Sequence, residues 1–177
     1  MNQLFLLSIK TIADPANPPA GVKLVAKVED RLNYPGRYYS FFTQDKYLSI
    51  CRHRIIKPKD GAEIQITSQF DAPLEVLPWF IEKLNFFRKM PHEDGLPHGK
   101  IITTEEPVAK EQLAICRLVD AGNQRGDGGY QINNLSREDR KVPSTFQQIS
   151  FSDSLLFEGG LLDTWHTLAD KYQQNAL

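Results

Sequence analysis

RYYSFFTQDKYLSICRHRII, residues 37–56, is the stretch that decides the fold. Aromatic and β-branched residues lie on both sides of Thr43-Gln44-Asp45-Lys46, a polar reversal, so the stretch reads as a β-hairpin. Side chains alternate along a strand, which puts Arg37, Tyr39 and Phe41 on one face and Tyr38 and Phe42 on the other. On the second arm Arg52 and Arg54 share a face opposite Cys51 and His53. One face of such a ribbon is core and the other solvent. The positive charge assigns the face with Arg37, Tyr39, Arg52 and Arg54 to solvent.

The flanks fit. Tyr34-Pro35-Gly36 and Lys57-Pro58-Lys59-Asp60-Gly61 are turn signals. Residues 22–28 alternate Val22, Leu24, Ala26 and Val28 with polar neighbours, as a half-buried strand does, and residues 3–9 read as another strand. Three prolines make 13–21 a loop between them. Residues 62–70 form a short strand with Ile64 and Ile66 inward. Beyond Asp71 the period changes: Val76, Phe80, Leu84 and Phe87 recur at helical spacing, with Asp71 a candidate cap. Pro78 then either kinks this helix or lies in its first turn. Residues 90–100 hold two prolines and two glycines and read as a linker.

The order then repeats. Residues 110–120 read as a strand, 121–134 as a glycine-bearing hairpin tip with Gly126, Gly128 and Gly129 supplying left-handed conformers, and 145–152 as a strand. The helix at 160–172 carries Leu161, Trp165, Leu168 and Tyr172 on one stripe. Lys46–Arg52 (KYLSICR) parallels Glu111–Arg117 (EQLAICR), which gives the second copy about 19 extra residues, placed as an insertion within 121–144. The fold class is therefore α+β: one domain over 1–177, with pseudo-repeats at 22–90 and 100–174, each a set of antiparallel strands followed by an amphipathic helix.

Composition narrows the function. No apolar run is long enough to span a bilayer, and the start lacks a secretory signal, so a cytoplasmic protein without membrane contact is expected. Cys51 and Cys116 make no disulfide framework. Net charge is −1, but residues 31–59 carry seven basic groups against Asp45 alone, a local +6 that leaves −7 elsewhere. Stacking rings beside cations bind single strands at roughly 1–3 kcal/mol per base. Arg37, Tyr39, Phe41, Lys46, Tyr47, Arg52, Arg54 and Lys57 are the candidate residues.

This hairpin, the EIQITSQF strand and the helix to Phe87 resemble the unit of the Pur-alpha and Whirly families of single-stranded nucleic-acid-binding proteins. The resemblance covers 36–88 and, loosely, 111–172; the first 30 residues and 121–144 depart from it. It implies a binding surface made of the aromatic and basic residues of the hairpin. The basic aromatic segment itself points to a non-catalytic binder of single-stranded DNA or RNA without a cofactor, as a homodimer or a pseudo-symmetric pair of units. The alternatives are a protein-interaction module (immunity, inhibitor or scaffold subunit) with an acidic partner, and a small enzyme such as a nuclease. Catalytic signatures are weak. His92, Glu93, Asp94 and His98 have metal-ligand chemistry but no helix to fix their spacing, and nothing joins His53 to His166. Arg125-Gly126-Asp127 reads as a turn, and Gly126–Gly129 lacks the lysine of a phosphate loop.

Overall fold

A computed structural model describes residues 5–7, 9–89, 91–93 and 105–177. Four strands, β1 (Lys23–Glu29), β2 (Arg37–Gln44), β3 (Tyr47–Ile56) and β4 (Ile64–Pro73), precede helix α1 (Val76–Arg88). A single 3-10 turn at Pro91–Glu93 follows. Four more strands, β5 (Glu106–Val108), β6 (Glu111–Leu118), β7 (Gly129–Glu138) and β8 (Phe146–Ser152), precede α2 (Asp153–Phe157) and α3 (Leu161–Gln173). Each set forms an antiparallel sheet in chain order. The molecule is an α+β fold in which a run of four strands followed by helix occurs twice.

Local chemistry explains most boundaries. The β2–β3 hairpin closes on Asp45-Lys46 alone, with Gln44 paired to Tyr47 and Asp45 at φ 50°, a left-handed conformation that Asp tolerates. The reversal is two residues shorter than expected, but an even change preserves which face each side chain takes. Strand β4 runs on to Pro73, so Asp71 is a strand residue and caps nothing. Helix α1 begins at Val76 and Pro78 falls in its first turn, where a missing N–H costs least. Ser152 caps α2, accepting from Leu155 N.

Several expectations are corrected. Residues 5–7 and 9 are irregular where a strand was expected, and residues 3, 4 and 8 of that segment lie outside the described residues. So do Asp94 and His98 of the candidate metal cluster. Residues 121–144 are no insertion, because they contain β7, the third strand of the second sheet. EQLAICR therefore lies in the second strand of its sheet and KYLSICR in the third of its own, and the two cysteines occupy inequivalent positions. Of Gly126, Gly128 and Gly129 only Gly126 has positive φ. Gly129 has another reason: a Cβ there would meet Phe151 O at 2.2 Å, so β8 passes too close for any side chain.

The helices cross over. Helix α3, from the second unit, lies against β1 of the first sheet. Helix α1, from the first unit, reaches the second sheet: Trp79 donates to Glu106, Lys83 pairs with Glu106 at 2.6 Å, and Phe87 meets Tyr130 edge-on at 5.5 Å. One hydrophobic core therefore draws on both sheets and both long helices. Trp165 sits at its centre, fully buried, with ring centroids of Phe80 at 4.4 Å, Phe41 at 5.6 Å and Phe151 at 5.7 Å. Its indole N–H donates to Leu77 O at 2.9 Å, so the helices are joined by a hydrogen bond as well as by packing.

Replacing Trp165 with Ala should cost about 3–5 kcal/mol, the range for emptying a large aromatic site. Because the core is shared, urea unfolding followed by far-UV circular dichroism should show one transition moved to lower denaturant. Two separate transitions would contradict the shared core.

Candidate nucleic-acid interface

The junction between the sheets is built on Asp71, a fully buried residue of β4. Its carboxylate accepts from Ser49 Oγ at 2.7 Å, Gln69 Nε2 at 2.8 Å and Arg140 Nη2 at 2.6 Å. Its backbone faces the second sheet, where Asp71 N donates to Gln147 Oε1 at 2.7 Å and Asn134 Nδ2 donates to Asp71 O at 2.9 Å. Arg140 also donates to Ile9 O and Thr11 Oγ1, tying down the N-terminal segment. Beside this node lies a buried ion pair, Arg137 with Glu111 at 2.6 Å. These bonds fix the turn between β7 and β8 and thereby aim Lys141 at the first sheet.

Lys141 meets there the residues singled out in the hairpin. Arg37, Arg52 and Arg54 line one cavity of about 300 Å³ with Tyr34, Ile66, Ser68 and Lys141. Register explains the grouping: Arg37 is paired with Arg54, and Arg52 stands opposite Ser68. The cations are not equivalent. Arg37 is bound to the buried Asp30 carboxylate, and its guanidinium lies 3.8 Å from the centre of the Tyr34 ring, whose hydroxyl donates to Gly122 O. Arg52, Arg54 and Lys141 have no carboxylate partner among the described residues.

The expected solvent face is corrected at this point. Tyr39 and Phe41 are 1% and 0% exposed, packed on Phe151 and Trp165, so neither presents a ring to a ligand. The face that carries them is core along most of its length. Only its outer end, where β3 and β4 outrun β2, opens to solvent and leaves the arginines accessible. Ile64 and Ile66, expected inward, are 53% and 41% exposed because they lie beyond the helices' cover.

The accessible rings lie on the reverse face of the first sheet. Tyr38 and His53 are cross-strand partners, stacked with centroids 5.7 Å apart, and Lys27 Nζ stands 4.1 Å above the Tyr38 ring. Ser40 Oγ shares a 2.8 Å hydrogen bond with His53 Nε2. These residues line or border a second cavity of about 340 Å³ with Asp14, Ile55 and Gln65. His53 and Arg54 line both cavities, which adjoin round the end of β2. Further along that face the N-terminal segment covers the sheet, where Ile12 packs with Val22, Phe42 and Cys51.

The remaining candidates are scattered. Lys46 is exposed at the opposite end of the hairpin. Tyr47 is half-buried there beneath Arg137, 4.7 Å from the ring centre. Lys57, on the projecting β3–β4 turn, pairs with Glu63 at 2.7 Å. Tyr34 and Lys141 escaped the sequence reading. Tyr34 sits in a turn signal that hides its ring, and Lys141 is distant in the chain. Tyr38 opposite His53 was recoverable once the hairpin was closed on two residues. The thiols offer no nucleophile: burial, then Asp71, pushes Cys51 up to about 12, and burial also raises Cys116. Among the described residues no group of His, Cys, Asp or Glu side chains is placed to hold a metal, and no helix is long and apolar enough to cross a membrane. No family model matches this chain, and no curated protein or solved structure is significantly similar to it.

Burial, and next Lys27, lower the His53 pKa below the 6.5 of a free imidazole, with Asp14 opposing. The unfolded chain therefore takes up this proton first. The contribution to stability is whole above 6.5 and lost as pH falls from there towards the folded value. An NMR titration of the imidazole should place His53 below 6.5, and His53→Gln should flatten the acid-side loss of stability.

Proposed function

We propose that this chain binds single-stranded nucleic acid and performs no chemistry on it, with the strand's phosphates in the arginine cavity and its bases turned towards the ring pair behind. The observation that carries this reading is the convergence of Arg52, Arg54 and Lys141, without carboxylate partners among the described residues, on one cavity. Cations left unpaired beside an opening are a site for an anion, and a nucleic-acid backbone presents phosphates in a row to such a site. The Tyr38–His53 platform next to it supports a single strand over a duplex, since only unpaired bases can turn out and stack. The likeness to Pur-alpha and Whirly proteins, which implies repeated units of several antiparallel strands followed by one helix, supports the same reading. A net charge of −1 with Arg52, Arg54 and Lys141 gathered at one cavity fits a defined contact strip better than a coating protein. Arg37 belongs to the wall of the site and not to its contacts, because Asp30 already neutralises it.

Fluorescence anisotropy with labelled 20-nucleotide strands over a salt series tests the reading. Affinity should fall log-linearly with salt, with a slope of about 0.7 per phosphate contact. The Arg52→Ala, Arg54→Ala, Lys141→Ala triple variant should reduce that slope by about 2 and the affinity at least tenfold. Tyr38→Ala should weaken binding by about 1–3 kcal/mol with the salt slope unchanged. Absence of binding at about 50 mM salt, or a triple variant that binds as well as the parent, would refute it.

A further inference from the structure

Strand β4 is the outer strand of the first sheet, and only part of its free edge is covered. At Asp71 the outward N–H and C=O are taken by Gln147 and Asn134. In an antiparallel pair every second residue directs its main-chain groups the same way. The β3–β4 register runs without a bulge from Tyr47↔Pro73 to Ile56↔Ile64. Gln69, Thr67 and Gln65 therefore also turn their N–H and C=O outward, and no hydrogen bond occupies these groups among the described residues.

A groove of about 500 Å³ follows this bare edge from Gln65 to Gln69. The rest of its lining is the N-terminal segment at Thr11–Ala13, which is bonded to the Gln69 side chain through Ile12 N, the turn at Asp139–Lys141, and Gln148 of β8. A row of unpaired backbone groups in a groove is a template for one more strand. Charge selects the occupant. Arg54 and Lys141 flank the edge without carboxylate partners among the described residues. Asp139, the acid in that lining, is occupied as acceptor for the backbone N–H groups of Lys141 and Val142. A second copy docked edge to edge would face these cations with its own, whereas an acidic segment would neutralise them.

We infer that the free edge of β4 captures an extended acidic segment of a partner protein as a fifth strand of the first sheet. Main-chain bonds to Gln65, Thr67 and Gln69 supply the affinity. Ile64, Ile66 and Arg54 share one face of the sheet, so alternate side chains of the guest pass over the isoleucines there and their acid groups meet Lys141 and Arg54. This inference does not require nucleic-acid binding, but it calls on Arg54 and Lys141, which also line the arginine cavity, so the two ligands would compete for these cations.

The probe is a phage-displayed random octapeptide library selected on the intact chain, with enriched sequences then synthesised. Enriched peptides should carry Asp or Glu at alternating positions and lack proline. N-methylation of alternate amides of the best peptide should lower its affinity at least tenfold, as should Thr67→Pro, which removes an outward N–H and no bond of the β3–β4 ladder. Circular dichroism checks that this variant is folded; where it is not, the N-methylated peptide alone decides. Failure to enrich any peptide, enrichment of sequences without acids, or full affinity after N-methylation overturns the proposal. Concentration-dependent self-association abolished by Thr67→Pro would give the edge to a second copy and overturn it equally.

Discussion

The Asp71 carboxyl has no contact with solvent, so its lone pairs must find donors inside the protein or burial would cost several kcal/mol. The donors come from far apart. Ser49 is on β3, Gln69 on β4, Gln147 on β8 and Arg140 on the turn before β8. Satisfying one carboxyl thus brings together both sheets and, through Arg140, the N-terminal segment. Removing one partner of such a buried pair is far more costly than the net worth of the pair, which makes this junction intolerant of change. It also explains why amides close the covered end of β4: Gln147 and Asn134 offer a main chain what another strand would.

The surface features follow from that constraint. Lys141 reaches the arginines because its neighbour Arg140 is held at Asp71. The strand edge is closed where the sheets meet and open where they diverge, so cavity, groove and bare backbone occur at one end of the molecule. The first sheet offers charge on the inner side of that end and rings on the outer side, because successive residues of β3, His53 and Arg54, point opposite ways. The two cavities therefore open on opposite faces of the hairpin and adjoin round the end of β2.

How much of this could be read in advance depends on the range of the cause. The hairpin, the alternation of its side chains, both long helices and the repeated order were legible, since periodicity and turn chemistry act over a few residues; which of the two faces is core was not. Convergence of Arg37, Arg52 and Arg54 was legible for the same reason. Burial of Tyr39 and Phe41 was not: it depends on Trp165 and Phe151, over 100 residues away. Strand β7 was hidden because YQINNLSR alternates weakly and its asparagines read as turn formers. Asn134 serves instead as a buried donor, a role set by Asp71 and Glu111. Asp71 itself looked like a helix cap because a carboxylate near Pro73 fits either role until its partners are known.

The crossing of the helices has a consequence for synthesis on the ribosome. The first sheet is complete once residue 73 has emerged, yet the helix that lies against β1 starts at Leu161. Through the intervening synthesis Phe41 has no Trp165 to pack against, and a greasy open sheet must be tolerated or shielded by chaperones. Each half depends on the other's helix to be hidden from such surveillance. A nonsense mutation between Arg88 and Leu161 would therefore unmask the amino-terminal half although every residue of that half had been made.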